Sequence, residues 1–251
     1  MITSEFAIVT PTHKETLDAK EQSRIRKTLS VHADKEHFFL VPDNLDTQEL
    51  QKQFQNSSFV SMPNWFFRTI DHYNIMMLQP KFYNIFQQFE FILLCQPDAF
   101  LINKMNNLFK EEYDYFGASW PKPYLLSEHF GQLLVNRRQW RYGKCTTVSA
   151  GNGGLSLRRV SASIEIIKFG RTKPYWHKIE RVRKRKINED LAFSFLGKQL
   201  GFRVPEKAEA EKYFVETNDF DPHCLGELIG FHALEKYQPE KEKTLFKELG
   251  M

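Results

Sequence analysis

Three places in this chain set chemically capable side chains against apolar runs. Asp98 ends the stretch EFILLCQPD, the most apolar in the sequence. A carboxylate at the end of a buried strand has its pKa raised unless a cation or hydrogen bonds stabilise the charge. A divalent metal bridging nucleotide phosphates is one such cation, because Mg²⁺ is commonly held by one or two carboxylates plus substrate oxygens. Capping the turn into LINKMNN is the other use of the same side chain. Glu189 and Asp190 follow Asn188 at the head of the apolar run LAFSFLG. Asn188 suits an N-cap, and acids in a first turn complement the helix dipole. The pair equally suits general-base chemistry, one carboxylate taking a proton from an acceptor hydroxyl while its neighbour orients the substrate. His232, after GELIGF, is a core histidine or a neutral imidazole completing a metal site begun by Asp98. His13 and His223 are weaker candidates of the same kind.

A fourth feature is backbone rather than side chain. SAGNGGLSLRR concentrates Gly151, Gly153 and Gly154 of a chain with only 12 glycines ahead of the alternating segment Leu155–Arg158. Glycine gives positive φ and close backbone approach at an entropic cost. A hairpin or bulge and a close approach to a ligand are both compatible with that.

The elements that must position these groups alternate along the first half. EFAIVTPT reads as a strand, KETLDAKEQSRIRKTLSV as a polar helix, HFFLVP as a second strand and SFVSMP as a third, after a short helix near 47–54. FRTIDHYNIMMLQPKFYNIFQQF has helical spacing broken at Pro80, and EFILLCQPDAF is a continuous apolar run of strand length. Such alternation predicts an α/β, mostly parallel, doubly wound sheet. Ligands then bind beyond the carboxyl ends of the strands, where strand order switches, so Thr10–Thr12, Pro42–Asp43 and Pro97–Asp98 matter most. The second half is more mixed, with YDYFGASW, the glycine segment, a helix after Arg159 and INEDLAFSFLGKQLGF. With no repeat or linker, one domain over 1–251 is expected.

Composition narrows the class. Apolar residues at 41% and charged at 26% are ordinary for a globular protein. No window approaches the roughly 18 apolar residues of a membrane span. The start, MITSEFAIVTPTHKE, lacks a signal-peptide pattern, so a cytoplasmic location is expected. Three cysteines without metal spacing argue against a disulfide framework or zinc site. Walker, G-x-G-x-x-G, G-x-S-x-G and H-E-x-x-H signatures are absent. Residues 168–186 hold nine Lys or Arg against one acid, a local +8 that leaves about −4 for the rest of a chain whose formal charge is +4. Such a stripe is a solvated helix face, or it meets nucleic acid, anionic lipid or a phosphorylated ligand.

The motifs VTPTHKE, EFILLCQPDAFLI, YDYFGASW, GNGGLSLR, NED and GFHAL occur in an order that resembles a bacterial family of glycosyltransferase-like domains of GT-A type, long filed under a domain-of-unknown-function label. The resemblance spans nearly the whole chain and implies a mixed, mostly parallel sheet flanked by helices, the nucleotide-diphospho-sugar transferase architecture. It implies that Thr10, Pro11 and Thr12 hold the base and ribose of a nucleotide-sugar donor. Asp98 then faces the diphosphate, with or without a divalent cation (Mn²⁺ or Mg²⁺) to which His232 is a further ligand. Phe100 stands where the second acid of an Asp-x-Asp motif belongs, which leaves metal dependence open. Gly153 and Gly154 border the sugar and acceptor, with the backbone from Gly151 passing close to the sugar. Asn152 offers its amide to a hydroxyl, and Asp190 or Glu189 is the base. Arg185 and Lys186 in the basic stripe neutralise the leaving diphosphate, or the stripe docks on an anionic membrane carrying a lipid-linked saccharide acceptor. Tyr175 and Trp176 suit sugar stacking or an interfacial role.

The implied activity is transfer of a sugar to a hydroxyl acceptor in bacterial surface polysaccharide synthesis, in the cytoplasm or peripherally at the inner face of the membrane. Two other classes compete. A non-catalytic carbohydrate-binding or scaffolding module of the same fold is kept alive by the missing second acid, and turnover of any nucleotide sugar would remove it. A nucleic-acid-binding protein would use the stripe at 168–186, but the negative charge of the remaining chain argues against it, so no nucleic acid is expected.

Overall fold

The first strand, β1 (Phe6–Pro11), is buried along its whole length. Ala7 and Val9 face one layer while Phe6 and Ile8 face the other, the period-2 pattern of a strand covered on both sides. The computed structural model describes residues 6–129, 132–136, 145–179 and 188–251. Strands β2 (His37–Pro42) and β3 (Ser57–Met62) follow in parallel, and β4 (Phe91–Cys95) returns to the other edge of β1.

Helix α1 (Ala19–Val31) joins β1 to β2, and α2 (Gln48–Gln53) joins β2 to β3. Helix α1 begins later than the expected Lys14, because Asp18 and Glu21 form a reciprocal capping box that fixes its start. A 3₁₀ turn at Asn64–Phe67 leads to α3 (Ile70–Met77) and α4 (Pro80–Asn84). Pro80 breaks the helical run as expected and opens α4, where a missing N–H is tolerated.

The apolar run EFILLCQPDAF is not one strand. It ends as β4 at Cys95, turns through Gln96–Pro97–Asp98 with Ala99 N–H donating to the Gln96 carbonyl at 2.8 Å, and resumes as β5 (Ala99–Leu101) in another sheet. The remaining elements are α5 (Asn106–Lys110), β6 (Tyr115–Gly117), β7 (Ser119–His129), β8 (Gln132–Val135), β9 (Cys145–Ala150), β10 (Leu155–Arg159) and α6 (Val160–Arg171). After these come α7 (Trp176–Ile179), α8 (Glu189–Leu200), α9 (Lys207–Tyr213), β11 (Phe214–Val215), β12 (Gly230–His232), α10 (Leu234–Tyr237) and α11 (Pro239–Leu249).

The central sheet has the order β3-β2-β1-β4-β10-β6, with β10 antiparallel to both β4 and β6. It is the mixed, largely parallel sheet of the expected α/β class, with helices on both faces. Helices α3, α4, α6 and α8 pack on one side around Met76, Phe82, Ile166 and Phe193. Helix α1 packs on the other side around Ile25 and Phe39. A second sheet, β11-β12-β5, and an antiparallel third, β8-β7-β9, complete the set. Strand β7 escaped the sequence reading because Pro121 and Pro123 interrupt its pattern; the ladder absorbs them in a register shift between Ser119 and Tyr124. Among the described residues no helix is long and apolar enough to cross a membrane.

Candidate active site

Strand order reverses at β1: β2 and β3 lie on one side and β4 on the other. At the carboxyl ends of β1 and β4 lies a cavity of about 610 Å³, where an open α/β sheet holds its ligands. Its walls are Pro11–Lys14 after β1, Phe67–Ile70 with Tyr73 at the start of α3, and Gln96–Asp98 after β4. Lys14 is anchored by Glu21 at 2.7 Å. Arg68 is exposed on the opposite wall. The Tyr73 hydroxyl lies deeper, buried beside Gln96 without a well-formed hydrogen bond.

The second sheet assembles the rim. Asp98 precedes β5, Glu216 follows β11 and His232 ends β12, and the registers Val215↔Phe231 and His232↔Ala99 bring the three together. His232 Nε2 lies 3.5 Å from Asp98 Oδ1, and Nδ1 lies 3.3 Å from Glu216 Oε1, an ion-pair contact outside good hydrogen-bond geometry. Burial opposes a charge on this imidazole, but the two flanking carboxylates carry its pKa up to about 9. Burial likewise opposes charge on Asp98, yet contact with His232 holds its carboxyl below the usual range. Asp98 remains half exposed at the cavity edge while Glu216 is buried.

Among the described residues no group of three metal-type ligands occurs. Asp98 supplies a carboxylate, whereas His232, held as an imidazolium between Asp98 and Glu216, becomes a ligand through Nε2 only where a cation displaces that proton, with Glu216 then behind Nδ1. Two such ligands fit a phosphate-bridged divalent ion better than a protein-only cage. Phe100, the position of the absent second acid, is buried and stacked on Phe231 at 5.3 Å.

The glycines join this rim to a second cluster. Gln96 N–H donates to the Gly154 carbonyl at 2.9 Å, and a Cβ on Gly154 would lie 2.0 Å from His232 Nε2. A Cβ on the adjacent Gly153 would lie 2.6 Å from Glu189 Oε1. Gly151 adopts φ +126°, and a Cβ there would meet Ser194 Oγ at 2.1 Å. The room these glycines leave is filled by the site's own side chains.

Arg158 is fully buried and anchors that second cluster. It donates to both Glu189 oxygens at 3.1 and 3.2 Å, to the Tyr83 hydroxyl at 3.0 Å and to Ser156 Oγ at 3.0 Å. The rings of Tyr115 and Phe193 flank its guanidinium. Glu189 N–H donates to Asn74 Oδ1 at 3.0 Å, so Asn74 supplies the cap expected of Asn188, whose side chain makes no cap bond. Glu189 is thus committed through both oxygens. Asp190, half-buried, accepts among the described residues from backbone alone, Leu191 N–H at 2.7 Å and Gly153 N–H. Burial, then the Glu189 charge, push its carboxyl up to about 7.

The expected site residues are therefore distributed as follows. Pro11, Thr12 and Asp98 line the cavity, whereas the Thr10 hydroxyl is taken by His37 Nε2 at 2.9 Å. Asn152 Oδ1 accepts the Gly154 N–H at 2.9 Å in a local turn. Gly153 and Gly154 lie between the two clusters. Arg185 and Lys186 lie outside the described residues. Tyr175 and Trp176, expected to stack on sugar or meet an interface, are instead buried in the core, and the Tyr175 hydroxyl bonds Glu128 at 2.6 Å. His223 pairs with Glu248 at 3.3 Å on the surface, away from the cavity walls. Sequence reasoning missed Arg158, Glu216, Asn74 and Tyr73. An arginine at the inward phase of LSLRR was the one available signal.

This topology, with its ligand cavity at the switch point, is that of a GT-A-type glycosyltransferase fold. The Q189E active-site mutant of LgtC superposes with TM-score 0.55 at 13% identity, covering 97% of this chain and 95% of that one. Mouse xyloside xylosyltransferase 1, in its apo form, superposes with TM-score 0.52 at 11% identity, covering 91% and 97%. Apo GlyE from Streptococcus pneumoniae TIGR4 gives 0.50 at 13% identity, covering 92% of this chain and 55% of that one. At such identities the likeness is one of fold. Residues 56–225 match the family described as protein of unknown function (DUF5672), and the chain belongs to that family. No curated protein matches it.

Proposed function

We propose that the protein transfers a sugar from a nucleotide-sugar donor to a hydroxyl of a saccharide or lipid-linked saccharide acceptor, in bacterial surface polysaccharide synthesis. The observation that carries this reading is the cavity between the carboxyl ends of β1 and β4, with Asp98 and His232 on its rim. Pro11–Lys14 and Phe67–Ile70 bind the nucleotide, and Lys14 and Arg68 face its phosphates. Asp98 and His232 would hold Mn²⁺ or Mg²⁺, which neutralises charge on the departing diphosphate when bound. Gly153 and Gly154 let the sugar-facing backbone run directly over both clusters. Asp190 takes the proton of the acceptor hydroxyl, since its carboxyl is poised near neutrality and, among the described residues, Arg158 bonds Glu189 rather than Asp190. Glu189, held by Arg158, orients the turn that carries Asp190.

The reading is tested by thermal shift with UDP, GDP, CDP and their sugars, each with and without Mn²⁺. A ligand that binds only the folded state raises the melting temperature with its concentration. Stabilisation by one nucleotide, lost in Asp98→Ala, is expected. Absence of any shift across the panel would overturn the donor site and leave the carbohydrate-binding module, the alternative that Phe100 at the position of a second acid keeps alive.

A further inference from the structure

The central sheet ends in β6 on one side and β3 on the other, and the two edges differ. At β6 the Tyr115 N–H donates to the Arg203 carbonyl at 3.4 Å, so another segment of the chain caps that edge. At β3 no segment does so among the described residues. Ser58 and Ser61 are exposed there, and Phe59 and Val60 are only half-buried.

The hydrogen bonds fix which groups of β3 face outward. Asp43 N–H donates to the Met62 carbonyl at 2.8 Å, so the Met62 peptide groups point towards β2. Direction alternates along a strand. Ser58 and Val60 therefore point inward as well, while Ser57, Phe59 and Ser61 point away from the sheet. The Ser57 N–H is already taken by the Phe54 carbonyl at 3.0 Å. Phe59 and Ser61 each keep an N–H and a C=O with no backbone partner among the described residues.

Edge strands are ordinarily protected by charges, Pro or bulges. Ser57–Met62, SSFVSM, carries no charge and no Pro, and its register on β2 runs unbroken from His37↔Ser57 to Pro42↔Met62. One antiparallel register of this strand with itself satisfies all four outward groups. Phe59 exchanges both bonds with Ser61 of a second copy, and Ser61 with its Phe59, about a two-fold axis at Val60. The register that opposes Phe59 to its own copy needs the Ser57 N–H that Phe54 holds. The register shifted the other way sets Phe59 against Pro63, which has no N–H to give.

We infer that β3 is a dimerisation edge whose occupant is the β3 of a second copy of this chain, the two central sheets joining into one. Antiparallel pairing sets the two donor cavities at opposite ends of the joined sheet. The inference rests on the sheet edge and not on the transferase reading.

Analytical ultracentrifugation and cysteine crosslinking of the full chain test it. The wild type should sediment as a dimer at micromolar concentration. Ser61→Pro removes an outward N–H from each copy and no bond to β2, and should weaken dimerisation at least about tenfold. For crosslinking, Cys145→Ser and Cys224→Ser first remove the two exposed thiols. In that background Val60→Cys should form an intersubunit disulfide, because Val60 faces its own copy across a non-hydrogen-bonded pair with Cα atoms about 4.5 Å apart. Ser58→Cys should not, since Ser58 faces Met62 of the second copy. A monomeric wild type, which would leave the edge to some other strand, would overturn the assignment. So would a dimer indifferent to Ser61→Pro, no disulfide in Val60→Cys, or equal crosslinking through Ser58→Cys.

Discussion

Arg158 and Glu189, 31 residues apart in the chain, meet as a buried two-bonded ion pair whose charges see almost no water. A buried pair is costly to break and often neutral to replace, since a lone partner is left as an uncompensated charge. Arg158→Met is therefore expected to destabilise the fold by about 3–5 kcal/mol. Adding Glu189→Leu should recover a large part of that loss. Urea unfolding of both single variants and the double variant checks the coupling; strictly additive losses would mean the pair is not the organising contact.

Asp190 should show opposite effects on activity and stability. Its carboxyl titrates at about 7 in the fold against 3.8 when unfolded. A folded pKa raised in this way gives stability that is complete below 3.8 and lost as pH rises through 7. Asp190→Asn should then gain about 1–2 kcal/mol at pH 8, the half-exposed position limiting the effect. On a nucleotide sugar that the wild type turns over, the same variant should lose at least about 100-fold in rate. Wild-type activity should climb through pH 7 as the carboxylate forms. A variant with full activity would remove Asp190 as the base.

Gly154→Ala places a methyl 2.0 Å from His232 Nε2 and must displace the ring. A destabilisation of about 1–3 kcal/mol is expected, together with loss of nucleotide-induced thermal stabilisation. Gly201→Ala provides the contrast: nothing lies within 4 Å of its Cβ, so only its φ of +79° is penalised and nucleotide binding should persist. Equal binding by both variants would dissociate His232 from the donor cavity.

His32 and His37 make the fold acid-sensitive. Burial, the first cause at each, holds both near 4 against 6.5 in the unfolded chain. Above pH 6.5 both states are neutral and the contribution is complete. As pH falls from 6.5 towards 4, the unfolded chain takes up protons that the fold refuses. At pH 5 each histidine should cost about 2 kcal/mol relative to pH 7.5. Unfolding midpoints at the two values, in wild type and His37→Gln, provide the comparison. Asp190 and His232, whose folded pKa values are raised, gain stability over the same interval and offset part of this loss, so the readout is the difference between proteins. Stability at pH 5 relative to pH 7.5 should rise by about 2 kcal/mol in the variant, and no difference would place the sensitivity elsewhere.

The sequence by itself determined the strands β1 to β3, the presence but not the end of β4, the break at Pro80, and the location of Asp98 and Thr12 after strands, because period-2 and period-3.6 burial are local patterns. It also marked the glycine run and the Glu189–Asp190 pair as exceptional. Only the tertiary structure decided what those groups touch. The β5, β11 and β12 registers join Asp98, Glu216 and His232 from three separate segments. Arg158 claims Glu189 and leaves Asp190 free, a choice between two adjacent acids that no spacing encodes. Tyr175 and Trp176 went into the core although they sit in a basic stretch, because burial of an aromatic depends on which helices pack above it. Local pattern fixes which backbone forms; the identity of a side chain's partner depends on contacts between residues distant in the chain, which close only when the layers pack.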